Sequence, residues 1–121
     1  MKFTREYTSS MMIRSVSEHE IVIGEARYRD TIALTTDTVL EDWAAKPIAE
    51  LAEGDFADLL EAAPELIVLG TGPTNVFPPR ELVFALARRG IGLEVMDTAA
   101  AARTFNILSG EGRMVAAILY I

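Results

Sequence analysis

The stretch ELIVLGTGPTNVFPPRELVFAL, residues 65–86, decides the reading of the fold. Leu66-Ile-Val-Leu69 is a continuous apolar run, as expected of a strand covered on both faces. A glycine- and proline-rich turn follows, and then an apolar repeat at helical spacing. Pro79 fits the first turn of that helix and Glu81 suits its positive end. Arg88, Arg89 and Gly90 fit its C-terminus. A strand that feeds a helix through such a turn is the first half of a β-α-β unit.

The pattern continues downstream. Ile91-Gly-Leu-Glu-Val-Met96 predicts the next strand, and Thr98 is placed to cap a helix through about Leu108. Gly110 and Gly112 break that helix, and Met114 to Ile121 predicts a last strand. Strand-helix-strand-helix-strand predicts a mostly parallel sheet with right-handed crossovers.

Upstream of residue 64 the chain reads as a β-meander. Strands are predicted at Ser10–Val16, from Ile21 to Gly24 with Ala26–Arg29 continuing or following, and at Thr31–Thr36, which alternates and is rich in β-branched residues. Val39 to Trp43 reads as a turn or short helix. Asp55 is placed to cap a short helix from Phe56 to Ala63, stopped by Pro64. Trp43, Leu82, Phe84, Leu86 and Met96 are assigned to the core, and Asp55, Asp58 and Glu61 to a solvated acidic face. No linker or repeat divides the 121 residues. They read as one domain, a β-rich segment of about 1–54 and a β/α segment of about 55–121.

The glycine turn raises the question of phosphate. A dinucleotide fingerprint needs Gly-x-Gly-x-x-Gly with a helix starting inside it. Gly70 and Gly72 fit two positions, but Asn75 occupies the third, and Pro73, Pro78 and Pro79 delay the helix. The P-loop lysine is also missing. The turn therefore reads as a connection framing a crevice at the C-terminal end of a parallel strand. Gly70, Thr71, Gly72, Asn75 and Arg80 are the candidate lining residues. Asp97 and Thr98 emerge at the same end, with Thr98 as cap and Asp97 as first-turn charge as the structural alternative. Glu111 and Arg113 fall at the opposite end if the last strand is parallel.

Composition narrows the function. The net charge of −7 disfavours nucleic acid, and Arg88-Arg89 and Arg27/Arg29 are too few to offset it. There is no cysteine, hence no disulfide, thiolate metal site or thiol nucleophile. His19 is the single histidine and sits in a charged turn. Ser109 lacks a nucleophile elbow. No catalytic residue, metal or cofactor is assigned. No run approaches the ~18 apolar residues of a spanning helix. Met1 to Glu6 is polar, without a signal-peptide core or a clear transit peptide, so a cytoplasmic location is expected.

Several segments together carry a resemblance: 66–72, the prolines at 78–79, Gly90–Thr98, Ala101–Leu108 and Glu111–Ala117. They resemble the small Mth-type domain family of unknown function. That family includes bacterial and archaeal stand-alone proteins, mitochondrial complex I assembly factor 3 and an adipogenesis-associated protein. The resemblance implies an α/β, three-layer domain with a central mixed sheet, flanking helices and an additional N-terminal β layer. It implies no settled enzymatic activity. The expected function is a non-catalytic binding module, assembly-factor-like, with a protein partner and β edges suited to a homodimer. The alternative is a small-molecule binder or enzyme using the Gly70–Arg80 crevice.

Overall fold

The computed structural model describes residues 12–121. The start of the strand expected from Ser10, and the polar segment Met1–Glu6, lie outside these residues. The described residues form two sheets and three α-helices. Strands β1 (Ile13–Val16), β2 (Ile21–Ile23) and β3 (Ala26–Tyr28) make a small antiparallel sheet in that order. Strands β4 (Ile32–Thr35), β5 (Val39–Leu40), β6 (Leu66–Thr71), β7 (Gly92–Met96) and β8 (Val115–Tyr120) make a five-stranded sheet in the order β5-β4-β8-β6-β7. The helices are α1 (Ala57–Leu60), α2 (Arg80–Arg88) and α3 (Thr98–Gly110).

Strand β6 pairs in parallel with both β7 and β8, whereas β4 runs antiparallel to β8 and to β5. Two of the four pairings are therefore parallel, and the sheet is mixed. The expected meander does not extend through Thr31–Thr36. That segment leaves the small sheet and joins the large one, with all four residues of β4 buried. Its alternation of small and large residues resembles a half-solvated strand, but both faces are covered. Val39–Leu40 is a strand, and the expected turn is confined to Glu41–Asp42. A tight turn folds it back on β4, with Thr35 N donating to Thr38 O at 2.8 Å.

Two core clusters occupy opposite faces of the large sheet. One combines Ile32, Leu34, Val68, Ala117 and Leu119 with Phe105 of α3 and with Ile13, Ile21 and Ile23 of the small sheet. The other combines Ala33, Ile67, Leu69, Ala116 and Ile118 with Leu82 and Leu86 of α2 and with Trp43, Phe56 and Leu59. Successive strand residues alternate between the clusters, as the two-residue strand period requires. Asn106 ties the small sheet to α3. Its amide accepts from Ile13 N and donates to Ile13 O, both at 2.9 Å. Trp43 is buried as expected, but Phe84 is 55% exposed and not in the core. On α2 the inward positions are taken by Leu82, Ala85 and Leu86, and Phe84 falls outside that arc.

The expected helix from Phe56 to Ala63 is a 3-10 turn, Glu53–Phe56, running into the short α1. Ala63, with a positive φ of 51°, ends it ahead of Pro64.

Candidate functional site

Strands β6 and β7 are neighbours, but their following helices cover opposite faces of the sheet. The two outgoing connections separate, and a crevice opens between them at the C-terminal strand ends. A cleft of about 450 Å³ lies there. Gly72 and Pro73 line it from the end of β6, Asp97, Thr98 and Ala99 from the start of α3, and Tyr120 and Ile121 from the end of β8. Val16, Ser17 and Glu18 close it from the β1–β2 turn.

Thr98 sits under the cleft and is 2% exposed. Its hydroxyl accepts from Gly72 N at 2.7 Å and donates to Tyr120 O at 2.6 Å, and its own N–H donates to Gly72 O at 2.9 Å. One side chain thus latches the ends of β6 and β8 to the first turn of α3. The helix cap is Asp97 rather than Thr98. The Asp97 carboxylate accepts from Ala100 N at 2.8 Å, and Thr98 is already the first helical residue. This reverses the expected assignment, because either residue type can cap.

The other candidate residues separate. Gly70 is buried beneath the latch, where a Cβ would stand 2.9 Å from Thr98 Cα. Only glycine allows α3 to approach β6 this closely. Gly72 has φ +97°, which turns the chain out of the sheet. Thr71 is an internal loop tie. Its hydroxyl accepts from Val76 N at 3.0 Å and lies 2.6 Å from Thr74 O, to which it donates. Asn75 is exposed and does not line the cleft. Arg80 lies in a separate shallow hollow with Glu81 and Phe84. Of the seven candidates, Gly72, Asp97 and Thr98 meet at the cleft, Gly70 and Thr71 support it, and Asn75 and Arg80 stand away from it.

Val16, Ser17, Glu18, Tyr120 and Ile121 were not among the candidates. The strand pattern held a signal for Tyr120 and Ile121, since a last parallel strand ends at the same edge as β6. The docking of the β1–β2 turn leaves no comparable trace. The Tyr120 phenol is not free, because its side chain turns toward Trp43 and the α2-side core. Its hydroxyl donates to Lys46 O at 2.6 Å, its ring meets Trp43 edge-on at 6.3 Å, and burial pushes its pKa up to about 12. Glu111 and Arg113 lie at the far end of the sheet. Arg113 pairs with Glu65, just before β6, at 3.2 Å. Among the described residues no group of three or more His, Asp or Glu is placed to hold a metal ion.

A family model described as "Protein of unknown function (DUF498/DUF598)" matches residues 13–120. The chain belongs to this family. Human NADH dehydrogenase (ubiquinone) 1 alpha subcomplex assembly factor 3 is 33% identical over 117 residues, covering 95% of this chain and 63% of that protein. The chain therefore spans less than two thirds of that relative's length. The "13 kDa major membrane protein" of Francisella tularensis subsp. holarctica is 28% identical over 118 residues, covering 97% of this chain and 89% of that one. The solution structure of a Xanthomonas campestris protein superposes with a TM-score of 0.84 at 32% identity, over all of this chain and 92% of the other. Among the described residues no helix is long and apolar enough to cross a membrane.

Proposed function

We propose that this chain is a non-catalytic protein-binding module with an assembly-factor-like role in the cytoplasm. The switch-point cleft is its docking site. The observation that carries this reading is the likeness over 95% of the chain to a protein named as an assembly factor of NADH dehydrogenase. The chemistry of the cleft supports it. The Thr98 hydroxyl and the Gly72 N–H are engaged with each other, and the Tyr120 hydroxyl is held by Lys46 O. The cleft thus offers apolar surface and, among the described residues, no unengaged side-chain hydroxyl, which suits a partner's side chains better than a reacting polar substrate.

The test uses Ala99, which is exposed on the first turn of α3 and lines the cleft. Tagged chain is recovered from its native host beside an Ala99→Trp variant that fills the cleft. A protein held in fixed proportion by the parent and lost by the variant is the expected result. Full retention by a folded variant removes the cleft from the interaction.

The cleft volume also falls in the range of small-molecule sites, which keeps a ligand-binding reading in view. A ligand at ~100 times its dissociation constant would add about 2.7 kcal/mol of stability. A metabolite screen by thermal shift decides that reading.

A further inference from the structure

The cleft is apolar along its walls and acidic at its rim. Val16, Pro73, Ala99 and Ile121 supply apolar surface. Among the described residues Glu18 and Asp97 are the carboxylates lining it, and no lysine or arginine does. Neither carboxylate takes part in an ion pair among the described residues. Glu18 is exposed and Asp97 half-buried. Asp97 uses one oxygen to accept from Ala100 N, at 2.8 Å. Arg14 and Arg103 line an adjoining hollow between β1 and α3, which shares Val16 and Ala99 with the cleft. The chain as a whole carries −7. A cation placed at the rim is attracted by both carboxylates.

We propose that the cleft receives a short segment of a partner protein in which a lysine or arginine adjoins an apolar side chain. This rests on the reading of the cleft as a docking site and names the chemistry of its occupant. The apolar neighbour fills the walls. The cationic side chain lays its methylene stem along the same surface and carries its head to the rim carboxylates. The Thr98 hydroxyl and the Gly72 N–H are taken up by the latch, and the rim charges set the preference for a cationic segment. An acidic segment is excluded by the same field, which gives the module discrimination as well as affinity.

The probes are three capped peptides, acetyl-Leu-Lys-Leu-amide and its Gln and Glu counterparts. Each is titrated into the full chain at low salt while the Gly72 and Ala99 amide resonances are followed. The lysine peptide is expected to bind tighter than the glutamine peptide by about threefold per carboxylate, as partly exposed ion pairs provide. The glutamate peptide should bind weakest. Glu18→Gln with Asp97→Asn should bring the lysine peptide to the level of the glutamine peptide. The fold survives that exchange because asparagine caps a helix as well as aspartate does. Raising the salt to 0.5 M should compress the differences in the parent chain. Equal, saturable binding of all three peptides at these two amides overturns the cation preference and leaves an apolar docking site standing. A lysine preference that persists in the double variant overturns the role of the rim carboxylates. The absence of a saturable shift at Gly72 and Ala99 with every peptide overturns docking at the cleft itself.

Discussion

Replacing Thr98 by valine separates a latch from a ligand contact. Valine keeps the shape and β-branching of threonine but removes the hydroxyl. In the parent that hydroxyl satisfies the buried Gly72 N–H at 2.7 Å and Tyr120 O at 2.6 Å. Thr98 is 2% exposed, so water cannot easily replace it. An unsatisfied buried group costs about 1–3 kcal/mol, and two groups are stranded here, one donor and one acceptor. A carbonyl with two lone pairs suffers less than an orphaned N–H. The expected loss is therefore about 2–4 kcal/mol, a large part of the stability of a domain this size. Urea unfolding should show a lower midpoint with an unchanged slope, since the surface exposed on unfolding is the same. With about 4 °C per kcal/mol, the melting temperature should drop by roughly 8–16 °C. Thr98→Ser keeps the hydroxyl and should lose only about 1 kcal/mol, from the missing methyl group. A Thr98→Val protein as stable as the parent would refute the latch and return Thr98 to the ligand contacts considered from the sequence.

Four further substitutions test the frame of the fold. Gly70→Ala puts a Cβ 2.9 Å from the Thr98 backbone and should cost about 1–3 kcal/mol. Gly110→Ala, at the open end of α3 with nothing within 4 Å, should be neutral or stabilising by up to about 1 kcal/mol, and parallel thermal melts compare the two. Asn106→Ala removes the amide that pairs both backbone groups of Ile13, and should speed hydrogen exchange at Ile13 ahead of the large sheet, with a loss of about 1–3 kcal/mol in urea. Asp55 has its pKa lowered chiefly by the hydrogen bond from Ala52 N, with Lys46 3.1 Å away adding to the effect. A depressed carboxylate stabilises the fold above its unfolded pKa and loses that contribution as pH falls through the folded value. Asp55→Asn should therefore be less stable near neutrality by about 1 kcal/mol or less and show a shallower acid decline, measured as urea midpoints from pH 6 to 2.

The parts of the fold that were legible in the sequence are those where one local rule operates at a time. The run 66–69, the proline-started helix α2 and the glycine-ended helix α3 each satisfy a period and a boundary signal together, and they fix the β/α half. The β4 segment was placed in the wrong sheet because strand propensity says nothing about pairing partners. Ile32–Thr35 pairs with Leu119–Ala116, more than eighty positions away, and no turn chemistry announces that pairing. Phe84 was misplaced for a different reason. Hydrophobicity marks it for the core, whereas its angular position on α2, beside the fully buried Leu82 and Leu86, directs it to solvent.

The cleft shows the same division. Gly72, Asp97 and Thr98 follow from strand order alone, because successive parallel strands deliver their ends to one edge. Their roles do not follow, since serine, threonine and aspartate compete for the same cap and only geometry assigns it. Glu18 is beyond any local rule. It reaches the cleft because Ile13, Ile21 and Ile23 pack against Val68 and Phe105, and because Asn106 holds Ile13 to α3. The small sheet thereby supplies a wall and a charge to a crevice that the β/α unit opens by itself. A substitution deep in that packing, such as Phe105→Ala at about 3–5 kcal/mol, should loosen the Glu18 side of the cleft before the Gly72 side. Amide exchange in the β1–β2 turn should then rise above that at Gly72. Equal acceleration on both sides would mean that the small sheet and the crevice open as one unit.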